Sequence, residues 1–510
     1  MTAHARPNLL ILHTDQQRCD SLGCTGNSHA VTPNIDRLAG NGTLFTRHIS
    51  ANPVCMPSRA SLLTGLAPQA HGVYANGVPL WRMDPDAVTE KTRFFSERLW
   101  GRPFPTSIPT IADLLREQGY STVCLGKLHL EPHLGNQCFG FRENPVWLGD
   151  PANAEWEGPF YGFDLARLML THGEGPCNPS NGHYGRWLQK NHPEVSREVL
   201  AGDKRIRRPE NSGQIFLSPI PSELHNTMWL ADQACRVIDG SEEPLCMFVG
   251  FPDPHHAWAP PADVGREFEN GPYPEFTPME AALEGKPAPV RESLQSRRAQ
   301  EADCVQAYRY TNAMVHLIDR AVGLIIDRLK TVGMYDNTVV VFTSDHGDFL
   351  GDYNCLHKDD ISCRCLVNVP FIMKPANTGT GPAPGSRVDA PMSNIDVLPT
   401  LFARLGLEPP EQVQGQDIFS VPEDDRRALV ATLKPGDLIS GLSIFDSRFR
   451  YSFFPLTGDE ELYDHRADPR ELHNLAGEAG HADTRKRLHS ELLETHARYS
   501  QPRGFRFSTW

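Results

Sequence analysis

Short, nearly continuous runs of apolar residues alternate along the chain with longer segments whose apolar residues recur every three or four positions. The first pattern is typical of strands buried on both faces of a sheet, and the second is typical of amphipathic helices. The predicted strands are 8–14, 43–48, 120–125, 245–251, 337–343 and 370–374. The predicted helices are 32–39, 110–118, 226–239, 301–332 and 394–405. This alternation predicts an α/β fold with a large, mostly parallel central sheet that carries helices on both faces.

The C-terminal part of the chain has a different pattern. Short strand-like pieces at 428–433 and 449–454 precede a terminal helix near 485–499. We therefore predict two units, a main α/β domain at 1–413 and a smaller α+β subdomain at 414–510 with a small antiparallel sheet.

Two stretches, 135–222 and 260–289, are rich in glycine, proline, asparagine and aromatic residues and show little periodicity. Long irregular segments in a compact protein shape binding pockets or simply run over the surface. We expect these two to be loops that line a pocket or contact another subunit.

Charge and cysteine usage narrow the possible partners and compartment. The 510 residues carry a formal net charge of −14, which would repel a nucleic-acid backbone or an acidic membrane. The N-terminal residues lack a secretion signal, and no apolar run is long enough to span a bilayer. Twelve cysteines without a regular pairing pattern fit reduced thiols. We therefore expect a cytoplasmic protein with no nucleic-acid or membrane partner.

Polar, chemically versatile residues follow four of the predicted strands directly. Because the carboxyl ends of parallel strands meet at one edge of a sheet, we expect these side chains to form one site. They are Asp15 and Gln16, Lys127 and His129, His255, and Asp345 and His346.

A fifth contribution comes from the segment 52–65. Asn52 can cap a helix, Pro57 suits a first helical turn, and Gly65 ends the pattern, so Cys55 is predicted to lie at a helix N-terminus. The helix dipole and the unpaired N–H groups there favour an anion. Arg59 lies one turn further on the same face and can brace Cys55 and an anion bound beside it.

The run Cys55-Met56-Pro57-Ser58-Arg59, followed by Leu62-Leu63-Thr64-Gly65, resembles the signature of the formylglycine-dependent sulfatases of the alkaline phosphatase superfamily. The resemblance covers nearly the whole chain, including Glu461-Leu462-Tyr463-Asp464 near the end, and extends to arylsulfatases and phosphonate monoester hydrolases. It implies an alkaline-phosphatase-like fold with a catalytic domain at 1–413. It also implies that a formylglycine-generating maturase oxidises Cys55 to an aldehyde.

The resemblance further implies one divalent metal ion. Asp15, Gln16, Asp345 and His346 would hold it together with an oxygen of modified Cys55. Oxygen ligands suit Ca²⁺, whereas an imidazole ligand favours Mn²⁺ or a similar ion, so both remain open. Gln16 and His346 stand where many members have Asp and Asn, as they also do in phosphonate monoester hydrolases. The site is then more positive, and a strict preference for sulfate is in doubt.

By the same resemblance, a hydroxyl of the hydrated aldehyde would attack sulfur or phosphorus. Lys127, Arg59 and Lys358 would neutralise the non-bridging oxygens of the substrate. His255 would protonate the leaving oxygen, with Lys358 or Lys127 as alternatives, and His129 would accept the proton that lets the aldehyde re-form.

Two further residues are ambiguous. Asn76 matches a substrate-facing asparagine of the family, but it would also make an ordinary turn with Gly77. His256 is expected to be a neighbour of the site without a role in the reaction.

These observations predict hydrolysis of aryl or small alkyl sulfate monoesters. The closest alternative is a phosphonate monoester or phosphodiester hydrolase that uses the same site. A two-metal phosphatase with Asp253, His255 and His256 would need serine or threonine at position 55, and a non-catalytic binding protein would keep Cys55 unmodified. The apolar tail 505–510 predicts a homo-oligomer, because such a tail needs a covering surface.

Overall fold

The computed structural model describes residues 6–80, 82, 108–136, 139–170, 181–200, 211–241, 244–377, 382–433 and 439–500. The apolar tail at 505–510, on which the predicted oligomer rests, lies outside the described residues. Among the helices that are described, none combines the length and the apolar character needed to cross a bilayer. The described cysteines are all free thiols.

The central sheet is mixed and mostly parallel. Its strands run in the order β4-β3-β5-β1-β6-β7-β2-β8, and β9 pairs with β2. Only β7 is antiparallel to its neighbours in the described part of this sheet. Its strands are β1 Asn8–Thr14, β2 Thr43–Ile49, β3 Ser121–Gly126, β4 Leu165–Leu168, β5 Leu245–Gly250, β6 Thr338–Ser344, β7 Asn368–Lys374, β8 Ser386–Val388 and β9 Met392–Ser393.

Helices cover both faces of this sheet. Residues of β1 alternate between two hydrophobic cores, with Leu9 and Ile11 in one and Leu10 and Leu12 in the other, because successive side chains of a strand point to opposite faces. The helices are α1 Pro33–Asn41, α2 Cys55–Thr64, α3 Pro68–His71, α4 Ile111–Glu117, α5 Pro145–Gly149, α6 His183–Asn191, α7 Pro193–Leu200, α8 Asn226–Gly240, α9 Ala262–Phe268, α10 Met279–Leu283, α11 Ala288–Ser296, α12 Glu301–Thr331, α13 Arg364–Val367, α14 Val397–Leu405 and α15 Ala482–Tyr499.

A second sheet lies near the C-terminus. Its order is β10-β11-β12-β13, and each strand is antiparallel to the next. Its strands are β10 Ala428–Leu433, β11 Ile439–Phe445, β12 Phe449–Phe454 and β13 Asp459–Asp464. Helix α15 packs on this sheet through Leu488 and Leu492. The predicted antiparallel sheet and terminal helix are both present.

Two expectations about local structure were wrong. The stretch 135–222 is not irregular throughout, because it contains β4, an edge strand of the central sheet, as well as α5, α6 and α7. The stretch 260–289 likewise contains α9 and α10. The helices missed in these stretches have at most nine residues, so each offers no more than about two and a half turns of periodicity.

Candidate active site

Cys55 is the first residue of α2 and is 1% exposed. The residue that caps the helix is Val54, not Asn52 as predicted, and the Asn52 side chain instead accepts a hydrogen bond from the Val54 N–H at 2.9 Å. The N–H of Met56 donates to Oδ1 of Asn76 at 3.1 Å. The exposed Asn76 side chain therefore caps the first turn of α2, directly beside the thiol.

The ends of β1 and β6 bring the predicted metal ligands together. The two strands are parallel neighbours with Thr14 level with Ser344, so Asp15 and Asp345 emerge side by side. The ligand atoms of Asp15, Cys55, Asp345 and His346 all lie within 4.8 Å of one another, and all four residues are buried. No second group of this kind occurs among the described residues, which disfavours the two-metal alternative.

His346 is oriented by its own backbone. Its Nδ1 lies 2.8 Å from the carbonyl oxygen of Gly347, and its Nε2 lies 3.1 Å from Sγ of Cys55. A proton on Nδ1, donated to that carbonyl, leaves the Nε2 lone pair facing the cluster. The chemistry of this donor set, two carboxylates and one imidazole in a buried cluster, fits a divalent cation.

Arg59 crosses beneath the cluster and is fully buried. Its Nη2 donates to Asp15 at 2.9 Å, its Nε donates to Asp345 at 2.8 Å, and its Nη1 donates to the carbonyl oxygen of Lys127 at 2.8 Å. The guanidinium therefore contacts two of the candidate ligands and the backbone of a third strand end. Its three recorded hydrogen bonds all go to protein acceptors, whereas we expected Arg59 to grip an anion beside the thiol.

Two lysines and a histidine surround the thiol on other sides. Nζ of Lys127 lies 2.6 Å from Asp15. Nζ of Lys358 lies 3.4 Å from Sγ of Cys55 and 3.1 Å from Nε2 of His255. Nδ1 of His255 is 2.5 Å from the carbonyl oxygen of His256. The histidine is thus held with Nδ1 protonated and Nε2 facing the lysine.

These charges shift the pKa of the buried groups. Burial raises the pKa of Asp15, but Lys127, His255 and Arg59 outweigh it and hold that pKa well below its usual range. Burial and Asp15 raise the pKa of the Cys55 thiol, and neighbouring groups, Lys358 foremost, lower it by more. Burial, followed by Lys358, places the pKa of His255 well below its usual range.

Gln16 is linked to a carboxylate that the sequence analysis did not single out. Its Oε1 accepts from Nζ of Lys358 at 2.9 Å, and its Nε2 donates to Asp348 and to Nδ1 of His256, the latter at 3.0 Å. Asp348 is 2% exposed and lies three residues after Asp345. Its proximity to the ligand pair in the sequence was the one signal that could have identified it.

The segment that carries Lys127 and His129 is held by Glu143, which the sequence analysis also missed. This fully buried carboxylate accepts the N–H groups of His129, Leu130 and Glu131 at 2.5, 2.7 and 3.0 Å. The His129 ring stacks on His133 with centroids 4.0 Å apart. Burial and then His133 lower the pKa of His129 well below its usual range.

The comparisons with known proteins agree with this geometry. A family model described as Sulfatase matches residues 7–407. The chain is 28% identical to the uncharacterized sulfatase YidJ of Escherichia coli K12, an alignment that covers 99% of this chain and 90% of that protein. It is 26% identical to an arylsulfatase of Clostridium perfringens, with 92% and 90% covered.

A solved structure gives the same result for the fold. The phosphonate monoester hydrolase of Agrobacterium radiobacter superposes with a TM-score of 0.75 at 26% identity, covering 97% of this chain and 96% of that one. The predicted α/β fold with its additional antiparallel sheet is therefore confirmed. The family match spans most of the chain and includes the strand ends that build the site, so this chain belongs to the sulfatase family and is a sulfuric ester hydrolase.

Proposed function

We propose that this protein hydrolyses aryl or small alkyl sulfate monoesters with a nucleophile derived from Cys55. One observation carries the proposal: the Cys55 side chain at a helix N-terminus lies against two carboxylates, an imidazole and Lys358 in one buried cluster. That arrangement suits a tetrahedral anion beside a cation.

Two groups would complete the site. When present, formylglycine at position 55 supplies a hydrated aldehyde as nucleophile, and a divalent cation held by Asp15, Gln16, Asp345 and His346 makes its hydroxyl more acidic. Sγ of Cys55 stands in for the oxygens of the modified side chain. Because Cys55 is 1% exposed in the folded chain, the maturase would act before folding is complete.

The cationic side chains have separate roles. Lys127 and Lys358 would bind the non-bridging oxygens of the sulfate, where positive charge stabilises the transition state. We revise the role of Arg59, because each of its three guanidinium nitrogens donates to a protein acceptor. It would position Asp15 and Asp345, without contacting the substrate.

Breaking the S–O bond leaves an alkoxide or phenoxide that needs a proton. Lys358 and His255 share a hydrogen bond at 3.1 Å, so a proton held between them can reach the leaving oxygen. We therefore propose the pair as the acid. His129 remains our candidate for the base of the later step, and Asn76, which orients the N-terminus of α2, remains a candidate substrate contact.

Phosphonate monoester hydrolysis is the second candidate. Gln16 in place of a carboxylate makes the ligand set less negative, which favours tighter binding of an anionic phosphonate monoester beside it. The similarity to the phosphonate monoester hydrolase of Agrobacterium radiobacter favours the same alternative. We also propose, from the free thiols and the sequence, a cytoplasmic homo-oligomer with a catalytic unit at 1–413.

The test is a panel of 4-nitrophenyl sulfate, phosphate and phenylphosphonate run on protein whose formylglycine content at position 55 is known. We expect the sulfate to have the highest kcat/KM. If the phosphonate is turned over far faster, the second candidate replaces the first. Turnover of every ester by Cys55→Ala at the unsubstituted rate would exclude both.

A further inference from the structure

Gln16 is a candidate metal ligand whose side chain ends in an acceptor oxygen and a donor nitrogen. Its Oε1 can bind a cation, whereas its Nε2 carries two hydrogens and cannot. A half-turn of the amide would exchange the two ends with almost no change of shape. Ligation by Gln16, which rests on the function proposed above, therefore requires something that fixes the direction of the amide.

The backbone of Gln16 is already fixed. Its N–H donates to Oδ1 of Asp345 at 2.9 Å, which ties the residue to a second candidate ligand. Gln16 as a whole is 3% exposed, so its side chain is buried. What remains free is the orientation of the terminal amide.

The neighbours of the amide give it a direction. On the Oε1 side lies Nζ of Lys358, which can only donate. On the Nε2 side lie Oδ2 of Asp348 and Nδ1 of His256, which accept. An imidazole can carry its proton on either nitrogen, so His256 could become a donor by changing tautomer. Ionised Asp348 has no proton and can only accept.

Asp348 is itself anchored. Its Oδ1 accepts the N–H of Leu350 at 2.6 Å, so its Oδ2 is the oxygen left for Gln16. Both carboxylate oxygens of Asp348 therefore accept hydrogen bonds. Rotating the carboxylate would only exchange the two oxygens and would leave both donors paired. We infer that Asp348 is a positioning residue that keeps Oε1 of Gln16 turned toward Lys358 and Cys55, the side on which the cation would bind.

The substitution Asp348→Asn tests this directly. Asparagine has one oxygen for two donors, so pairing it with the Leu350 N–H presents an NH₂ group to Gln16. The Gln16 amide would then turn over to offer its oxygen to Asn Nδ2, and its NH₂ group would face the cation. Loss of an outer-shell partner of this kind costs about 10- to 100-fold in metal affinity.

A second substitution should reverse the effect. In the double variant Gln16→Glu with Asp348→Asn, one carboxylate oxygen faces the metal position and the other accepts from the new amide. In Gln16→Glu alone, the new carboxylate faces the carboxylate of Asp348. We expect the double variant to bind metal at least tenfold more tightly than Asp348→Asn, and both single variants to bind more weakly than the unsubstituted protein.

The experiment is calorimetric titration of Mn²⁺, and separately Ca²⁺, into the chelator-treated full-length protein and the three variants. Asp319→Asn is the matched control, because Asp319 is a fully buried carboxylate that also accepts backbone N–H groups and a side-chain amide, that of Asn34. It should lower the thermal unfolding temperature and leave the metal affinity unchanged.

The measured metal affinities either support or overturn the role of Asp348. Affinity of Asp348→Asn within threefold of the unsubstituted protein, or a double variant that binds no better than Asp348→Asn, overturns the inference. If Asp348→Asn does not fold, a double variant that folds and binds supports the inference, and one that also fails to fold overturns it. If the unsubstituted protein binds neither ion, the proposed metal site fails, and the inference fails with it.

Discussion

Arg59 explains how two carboxylates can lie side by side in a buried site. Asp15 and Asp345 are both fully buried and would repel each other. The single guanidinium donates to each and also to the backbone of Lys127. A buried guanidinium whose three nitrogens each donate to a different strand end holds those ends together, which a flexible lysine ammonium could not do.

We predict that Arg59→Met lowers the free energy of unfolding of the metal-free protein by about 3–5 kcal/mol, because it leaves two buried carboxylates without their shared partner. Arg59 helps to hold the pKa of Asp15 and of Asp345 below their unfolded values. The stability this gives is present above about pH 4 and is lost as pH falls through the folded-state pKa values.

Urea unfolding at several pH values checks this prediction. The deficit of Arg59→Met should be largest near pH 7 and should shrink toward low pH. Arg236→Met is the control, since Arg236 makes an exposed ion pair with Asp232 along α8 and should change little. A deficit that stays constant from pH 7 to pH 3 would contradict the proposed role of Arg59.

Some of the individual site residues could be predicted from the sequence. The strand-end residues were predictable, because a buried apolar run that stops at Asp15 or Asp345 marks the end of a parallel strand. Asp348 and Glu143 were not, because a carboxylate that accepts a glutamine amide or backbone N–H groups has the same sequence signature as a solvated one.

At the level of elements, two glutamates fasten the segment after β3 to the loop before α5. Glu143 accepts three N–H groups of the 129–131 segment, and Oε2 of Glu131 accepts those of Arg142 and Glu143 at 2.6 and 3.0 Å. Each glutamate side chain therefore accepts backbone N–H groups from the segment that carries the other glutamate. This clasp fixes the strand end that carries Lys127 and His129.

The clasp makes stability depend on pH. Burial, followed by the charge of Glu143, raises the pKa of Glu131 to about 8. At pH values between the unfolded-state pKa of Glu131, about 4.5, and its folded-state pKa, the folded protein binds more protons than the unfolded chain. The free energy of unfolding therefore falls as pH rises through this range. Glu131→Gln keeps the oxygen acceptor and cannot ionise, so it should remove this part of the slope.

We expect Glu131→Gln to gain stability relative to the unsubstituted protein as pH rises from 5 to 8, by on the order of 1 kcal/mol per pH unit at most. Urea midpoints at each pH measure this. Glu157→Gln is the control, because Arg167 lowers the pKa of Glu157 and no titration in this window is expected. Parallel pH profiles for Glu131→Gln and the unsubstituted protein would contradict the prediction.

The elements themselves were predictable where they are long. The strands and helices of seven or more residues that start from clear apolar runs, such as β1, β6 and α12, lie close to their predicted bounds. Strand β4 has four residues and includes Arg167, whose side chain pairs with Glu157 and Gln233. A tertiary contact therefore permits a charged residue in an edge strand, and local pattern cannot anticipate it.

At the scale of the whole molecule, the second sheet is joined to the segment that precedes Cys55. The N–H of Ala431 in β10 donates to the carbonyl oxygen of Ala51, and Nδ2 of Asn52 donates to the carbonyl oxygen of Ala431 at 2.8 Å. Ala51 also lies in the hydrophobic core of the second sheet. The C-terminal strands thus support the nucleophile segment directly.

A buried ion cluster attaches the second sheet to the main sheet region at another point. Arg450 in β12 is 1% exposed and donates to Glu471 at 2.6 and 3.1 Å and to Glu461 at 3.1 Å. Glu471 in turn accepts the N–H of Arg364, the first residue of α13, at 3.2 Å. The cluster therefore links the second sheet to the loop region that follows Lys358.

We predict that Arg450→Met lowers the free energy of unfolding by about 3–5 kcal/mol, because two buried carboxylates lose their shared cation. Chemical denaturation monitored by tryptophan fluorescence measures the loss. Arg448→Met, which breaks the ion pair between the half-exposed Arg448 and Asp464 at the end of β13, should have a smaller effect. Equal losses for the two variants would show that the buried cluster has no special role.

The central claim is that the nucleophile comes from Cys55, and the most direct measurement relates turnover to its oxidation state. Preparations with different formylglycine contents, measured by the mass of the peptide that spans Cys55, should hydrolyse 4-nitrophenyl sulfate at rates proportional to that content. The line should pass through the origin, and Cys55→Ala should fall on it at zero. Turnover that does not change with the aldehyde content would contradict the claim.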